Sequence, residues 1–122
     1  MCIRDSDHTV LRRMASALER SGFDMPVVNL LSDAAHPCQA VADIITLREL
    51  LGPLAGRTLA YIGDANNMWR SLAKAAVLEG MQVRISAPAA YAPSEAELTS
   101  LADFAAAVGR GGTCLLYTSR CV

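Results

Sequence analysis

The chain has 122 residues, of which 52% are hydrophobic and 19% charged, and its formal net charge is −1. This length suits one domain or parts of two, and the apolar content excludes a globally disordered chain. The near-neutral charge argues against a nucleic-acid partner. We also expect no membrane partner, because no apolar run approaches the ~18 residues of a membrane helix and no secretory signal opens the chain.

The two ends of the chain share one DNA element. Met1–Asp5 back-translates as ATG TGT ATA AGA GAC, and the Ser6 codon can add AG. The reverse complement of that string, shifted by one base and completed at its last codon, reads as Cys114–Ser119. Arg120–Val122 fits the first strand again in another frame. The element resembles a transposon end used in sequencing-library preparation. We therefore expect residues 1–6 and 114–122 to be translated adaptor and leave them out of the fold prediction.

The cysteines indicate neither disulfides nor a metal site. Their spacing fits no zinc pattern, and the segment between the two ends keeps only Cys38. We therefore expect a reduced, cytoplasmic protein.

The first half of that segment predicts helix, strand and helix. Apolar residues at helical spacing predict a helix over 7–20, which ends at Gly22. The apolar run Pro26–Leu31, β-branched at its start, predicts a buried strand. A polar loop over 32–35 follows, and Pro37 then begins a long helix, since proline is favoured at the first helical position.

This second helix carries an apolar stripe and stops at Gly52-Pro53. The stripe consists of Ala40, Ile44, Leu47 and Leu51. Glycine and proline recur over 52–57, which makes this segment the predicted hinge between a unit at 7–51 and a unit at 58–113.

The second unit predicts strand, helix, strand and helix. The strands are expected at 58–62 and 82–87, and the first helix at 67–79. Ser94 and Glu97 have the spacing of a capping box at the start of a last helix that runs to Val108. The alternation of strands and helices predicts an α/β fold with parallel sheets and flanking helices.

In open parallel sheets, ligands bind beyond the carboxyl ends of the strands. Two turns are expected there, at 32–39 and 63–67. Each is followed by the start of a helix, where free N–H groups and the positive end of the helix dipole attract anions.

In the first turn, His36 and Gln39 are three residues apart at a helix start, which places both on one face. A histidine donor and a carboxamide could bind a carbonyl group with an attached amine. The alternative is that His36 only caps the helix and Gln39 is solvated. Cys38 has no evident partner base and is expected to act as a small hydrophobic residue, not as a nucleophile.

In the second turn, the side chains of Asn66 and Asn67 suggest recognition of a small polar ligand such as an amino-acid head group. A dinucleotide site is disfavoured, because Ala65 and Met68 stand where the later glycines of G-x-G-x-x-G should be. The alternative is that one asparagine is only a helix N-cap.

The two turns together are similar to those of the transcarbamylase family. Pro26–Asp33 followed by His36-Pro37-Cys38-Gln39 resembles the middle of a transcarbamylase. Gly56–Asn67 with Ser71-Leu72 is similar to the ornithine branch, whereas the aspartate branch is expected to differ after its Gly-Asp. Ala65 replaces the glycine most often expected there.

The resemblance implies transfer of the carbamoyl group of carbamoyl phosphate to the δ-amine of L-ornithine, which gives citrulline and phosphate in arginine biosynthesis. It also implies that no metal or organic cofactor is needed and that the parent protein is a homotrimer. Residues 7–51 would end the carbamoyl-phosphate domain with an interdomain helix, and 58–113 would begin the ornithine domain.

The resemblance assigns roles to particular residues. His36, Pro37, Cys38 and Gln39 match the carbamoyl-phosphate motif, and Asn67 matches the ornithine-binding asparagine. His36 would be catalytic, because a donor aimed at the carbamoyl oxygen stabilises the negative charge that grows there. Gln39 would accept a hydrogen bond from the carbamoyl amine.

Several family motifs are missing from the sequence: a Ser-x-Arg-Thr phosphate loop, an Asp and Ser-Met pair for ornithine, and a His-Cys-Leu-Pro segment. We therefore expect an internal fragment that is inactive alone. The alternatives are a transcarbamylase for another amine, such as putrescine or an acylated ornithine, a non-catalytic α/β binding domain, and a nucleotide-binding domain.

Overall fold

The computed structural model describes residues 7–117. The predicted adaptor residues 1–6, and those at 118–122, lie outside this range. None of the described helices is long and apolar enough to cross a lipid bilayer. In chain order the elements are α1 His8–Arg20, α2 Pro37–Leu51, β1 Thr58–Ile62, α3 Asn67–Leu78, β2 Gln82–Ser86, a 3-10 turn Ala89–Tyr91, α4 Glu95–Val108 and β3 Thr113–Tyr117.

The three strands form one parallel sheet in the order β1-β2-β3. Thr58 is paired with Gln82, and Gln82 with Thr113. Parallel neighbours require helical crossovers, which α3 and α4 supply. The predicted α/β class with a parallel sheet and flanking helices is therefore confirmed.

The third strand extends past residue 113, where the part of the chain used for the fold prediction ends. Residues 114–117 continue β3 and pair with β2 along its whole length. The edge of β2 that does not pair with β1 offers a row of N–H and C=O groups. After α4 the chain returns to that edge, so that β2, α4 and β3 form a further β-α-β unit.

The predicted strand at Pro26–Leu31 is wrong. This segment belongs to no strand, although its side chains alternate between exposed and half-buried as they would in one. Val28 and Leu30 are 66% and 65% exposed. A strand is stabilised by pairing with a neighbour, and among residues 7–117 no other extended segment pairs with this one.

The predicted helices are confirmed, and three of them build the core. Helix α2 buries Ala40 and Ile44 of its predicted stripe, whereas Leu51 is 46% exposed. Ala40 and Ile44 belong to one apolar cluster together with the buried residues of α3, β2 and α4. The cluster includes Trp69, the only tryptophan of the chain and 2% exposed. Because α2 shares this core, it is held against the helix that follows β1.

The predicted hinge segment makes several contacts. Leu54 is buried, and the N–H of Gly56 donates to the carbonyl of Gly80 over 2.9 Å. The Arg57 guanidinium donates to the carbonyls of Leu51 and Pro53, each over 2.9 Å. These bonds join the end of α2 to the start of β1. The hinge role and the division into two units at this segment stay predictions.

Candidate functional site

Three of the four helices begin with a side-chain cap. The Asp7 carboxylate accepts from the N–H of Thr9 at the start of α1. The Asn66 amide oxygen accepts from two N–H groups of α3, and Ser94 forms the predicted capping box with Glu97 at α4. A cap satisfies backbone donors that a helix leaves unpaired.

Helix α2 begins differently. His36 is its N-cap residue, but its side chain makes no capping hydrogen bond. Pro37 has no N–H, and the N–H groups of Cys38 and Gln39 have no hydrogen-bond partner within residues 7–117. Two donors and the positive end of the helix dipole are therefore available at this point, as an anion-binding site requires. The alternative drawn from the sequence, in which the His36 side chain caps α2, has no capping hydrogen bond to support it.

The side chains of this turn are also partly uncommitted. His36 Nδ1 is buried and has no hydrogen-bond partner among the described residues. Gln39 Nε2 donates to the Asp43 carboxylate over 2.8 Å, which leaves Gln39 Oε1 as an acceptor. Cys38 is exposed and forms no disulfide among the described residues, with its Sγ 3.9 Å from the carbonyl of Asn29. No hydrogen bond joins the side chains of His36 and Gln39 in the described part of the chain.

The two asparagines of the second turn have different functions. Asn66 is the cap of α3, since its Oδ1 accepts from the N–H of Met68 at 2.9 Å and of Trp69 at 3.2 Å. Asn67 instead reaches across to the first turn, where its Nδ2 donates to the carbonyl of Ser32 over 2.7 Å. Its Oδ1 and the second hydrogen of Nδ2 remain available to a ligand.

Ser71 forms a second link between the turns. Its Oγ accepts from the N–H of His36 at 2.9 Å and donates to the carbonyl of Asn67 at 3.1 Å. His36 and Asn67, predicted from separate motifs, are thus joined through one hydroxyl. The structure brings the first turn and the second turn together.

Ser32 is a residue whose role the sequence did not reveal. It is 0% exposed, and its Oγ lies 3.1 Å from His8 Nδ1 and 3.2 Å from both Asn29 Nδ2 and the N–H of Ala35. These contacts hold the loop that presents the Ser32 carbonyl to Asn67. A small hydroxyl residue between a strand-like run and a helix start was the available signal.

Two ionisable groups, one at the end of β1 and one in α4, have shifted pKa values. Burial, followed by the negative charge of Asp64, raises the pKa of Tyr61 at the end of β1. Burial tends to raise the pKa of Glu97, but hydrogen bonds from Ser94 and Arg70 hold this pKa below its usual value. The Arg70 guanidinium lies 2.6 Å from the Glu97 carboxylate, so α3 and α4 are tied together near their starts.

Comparison with known proteins agrees with this arrangement. Residues 1–49 match the model of the aspartate/ornithine carbamoyltransferase carbamoyl-P binding domain, and residues 55–118 match that of the Asp/Orn binding domain. The chain belongs to the aspartate/ornithine carbamoyltransferase family. The predicted resemblance is therefore confirmed.

Individual family members share much of this sequence. The chain is 45% identical over 97 residues to an ornithine carbamoyltransferase of Parafrankia sp., covering 80% of the chain and 29% of that protein. It is 50% identical over 90 residues to one of Clavibacter michiganensis, covering 73% of the chain and again 29% of the relative. The chain thus spans less than a third of the length of these two relatives.

The fold is shared as well. An ornithine carbamoyltransferase structure from Pyrococcus furiosus superposes with a TM-score of 0.80 at 35% identity, covering 94% of this chain and 34% of the other. The one from Giardia lamblia gives 0.78 at 26% identity, covering 93% and 39%.

Proposed function

We propose that the chain is an internal segment of an ornithine carbamoyltransferase, and that the complete protein transfers the carbamoyl group of carbamoyl phosphate to the δ-amine of ornithine. The observation that carries this proposal is that two turns lie side by side in a member of this family. One turn holds the start of α2, which has no side-chain cap, and the other holds Asn67, whose Oδ1 and second amide hydrogen are available.

Carbamoyl phosphate would bind at the start of α2. The unpaired N–H groups of Cys38 and Gln39 support binding of an oxygen anion there. The oxygen Oε1 of Gln39 is oriented as an acceptor, because Nε2 is held by Asp43, and it would accept from the carbamoyl amine. His36 would donate to the carbamoyl oxygen from its half-buried ring.

Ornithine would bind at Asn67. The free Oδ1 suits an ammonium donor, and the second N–H of Nδ2 suits a carboxylate, so one amide can hold an amino-acid head group. The uncharged δ-amine then attacks the carbamoyl carbon, the bond to the phosphate oxygen breaks, and one proton passes from the amine to the departing phosphate. Citrulline and phosphate are the products.

His36 would be the catalytic residue in this reaction. Negative charge grows on the carbamoyl oxygen as the amine adds, and a donor already aimed at it stabilises the transition state more than the ground state. No covalent intermediate with the protein is involved in this reaction. The rest of the rate enhancement would therefore come from holding both substrates in line.

The same proposal includes the finer predictions from the sequence. The complete protein would be a cytoplasmic homotrimer of arginine biosynthesis, and the 122-residue chain alone would have no transferase activity, since the phosphate loop and the later ornithine contacts are missing from it. Size-exclusion chromatography with light scattering on the complete protein tests the trimer.

The deciding experiment is to extend the source DNA in both directions, express the complete protein and assay carbamoyl transfer to several acceptors. Citrulline from ornithine, with little product from putrescine, acetylated ornithine or aspartate, supports the proposal. If the protein prefers another acceptor, that amine and not ornithine is its substrate. Absence of transfer to any acceptor by a folded protein would favour a non-catalytic binding domain.

A further inference from the structure

We propose that Ser71 is a positioning residue that couples the two substrate-binding turns by fixing the backbone of His36 relative to Asn67. The inference rests on the proposed function, to which it adds a residue that touches neither substrate. Its basis is the pair of hydrogen bonds made by one hydroxyl in the first turns of α3.

The Ser71 hydroxyl is placed so that both of its bonding capacities are used. Its hydrogen points to the carbonyl of Asn67, 3.1 Å away in the same helix, and its oxygen accepts from the N–H of His36 at 2.9 Å. Serine and threonine in helices often bond to a carbonyl four residues earlier. The second bond of Ser71 comes from another segment, 35 residues away in the chain.

The bond to His36 satisfies a donor that nothing else in residues 7–117 satisfies. The N–H of an N-cap residue has no partner within its own helix. Since the His36 side chain makes no capping bond, Ser71 holds the residue through its backbone. Loss of the hydroxyl frees the backbone from which the imidazole projects, while the buried residues Ala40 and Ile44 still hold α2 against the core.

This arrangement predicts a separation of kinetic effects. The N–H groups of Cys38 and Gln39 belong to α2 and move with that helix, so binding of carbamoyl phosphate should depend little on Ser71. Alignment of the His36 ring with the carbamoyl oxygen should depend on it directly. A Ser71→Ala variant should therefore lower kcat about tenfold, the size expected when one buried N–H loses its partner, with KM for carbamoyl phosphate within about twofold.

Thr46 provides a matched control. Its hydroxyl also donates to the carbonyl four residues earlier, that of Ala42 at 2.9 Å, but within residues 7–117 it accepts no bond from another segment. Thr46→Ala thus removes a helical hydroxyl without disturbing the turns. Ser71→Thr keeps the hydroxyl and should have the wild-type kcat. If Ser71 only filled space, kcat would not depend on whether the substituted residue carries a hydroxyl.

The first measurement uses the 122-residue chain itself. Amide hydrogen exchange followed by NMR should show the N–H of His36 exchanging at least ~10-fold faster in Ser71→Ala than in the wild type. The amide of Ala40, which donates to the His36 carbonyl, should change much less. Unchanged protection of His36 overturns the inference without bearing on the enzymatic activity.

The second measurement is steady-state kinetics of Ser71→Ala, Ser71→Thr and Thr46→Ala in the complete protein. A loss of kcat only in Ser71→Ala supports the coupling. An equal loss in Thr46→Ala, a rise in KM with kcat unchanged, or normal kinetics in Ser71→Ala overturns it. If Ser71→Ala does not fold, Ser71→Cys, whose thiol is a weak acceptor, takes its place. A wild-type protein without transferase activity refutes the proposed function instead.

Discussion

Replacing Asn67 by alanine removes the hydrogen-bond donor that faces the carbonyl of Ser32. That bond is 2.7 Å long, and Ser32 is 0% exposed. A buried acceptor that loses its partner costs about 1–3 kcal/mol. No other donor to this carbonyl is present among residues 7–117. We therefore expect Asn67→Ala to lower the free energy of unfolding of the 122-residue chain by about 1–3 kcal/mol.

An aspartate at the same position should be worse than alanine. Asn67→Asp puts a carboxylate oxygen where the structure has an N–H group, 2.7 Å from a carbonyl oxygen, so a repulsion is added to the lost bond. The same repulsion raises the pKa of the new carboxyl in the folded chain. Because a protonated carboxyl can donate, the difference between Asn67→Asp and Asn67→Ala should shrink as the pH falls toward about 3.9, the ordinary pKa of aspartate.

Urea unfolding followed by the fluorescence of Trp69, which is the only tryptophan of the chain, measures these effects. Asn66→Ala is the control, since it removes the cap of α3 but not the link to Ser32, and should cost about 1 kcal/mol. If Asn67→Ala is as stable as the wild type, or if Asn67→Asp equals Asn67→Ala near neutral pH, the link between the turns does not stabilise the fold as we have argued.

In the complete protein, His36→Ala should lower kcat about 10²–10³-fold, the range for removal of one oxyanion donor, with an unchanged circular dichroism spectrum; near-normal turnover would refute the catalytic role. Cys38→Ala should retain kcat within about twofold, because its backbone N–H and not its thiol would face the ligand; a large loss would revive a role for the thiol. The capping box should contribute stability that is present above about pH 4.5 and is lost as the pH falls through the lowered pKa of Glu97. Urea midpoints across this range should therefore fall less steeply with acid in Glu97→Gln than in the wild type, and parallel curves would contradict the shift.

The elements that the sequence predicted correctly are those with local signals. Pro37 and Gly52 mark the start and end of α2, and the capping box of Ser94 and Glu97 marks the start of α4. Each of these signals depends only on residues a few positions apart, so it can be recognised in a single sequence. The two strands β1 and β2 followed from short apolar runs bounded by turns.

The wrongly predicted strand at Pro26–Leu31 and the unpredicted strand β3 have a common cause. Pro26–Leu31 has the composition of a strand but no strand beside it, and Thr113–Tyr117 is a strand because β2 lies beside it. Pairing depends on what reaches a given edge from elsewhere in the chain, which periodicity alone does not describe. The DNA-level explanation of the last residues concerns their origin, whereas their place in the sheet depends on the free edge of β2.

The candidate site was predictable in part. Positions after strands and at helix starts identified both turns, and the resemblance selected His36, Gln39 and Asn67. The sequence could not tell which asparagine is the cap, because both stand at the start of α3. Nor did it indicate Ser32 and Ser71 as links, since their partners lie far away in the chain and serine is common in loops and on helix surfaces.

The two links also fix more than the distance between the turns. Asn67 bonds to Ser32, and His36 bonds to Ser71, so both pairs are separated by 35 residues and lie four residues apart on each segment. A single bond would let one turn pivot about the other, whereas two bonds at matched spacing fix their direction as well. Direction is what in-line attack on a planar carbamoyl group requires. Loss of the Ser71 hydroxyl, which touches neither substrate, should thus leave the substrates bound but poorly aligned.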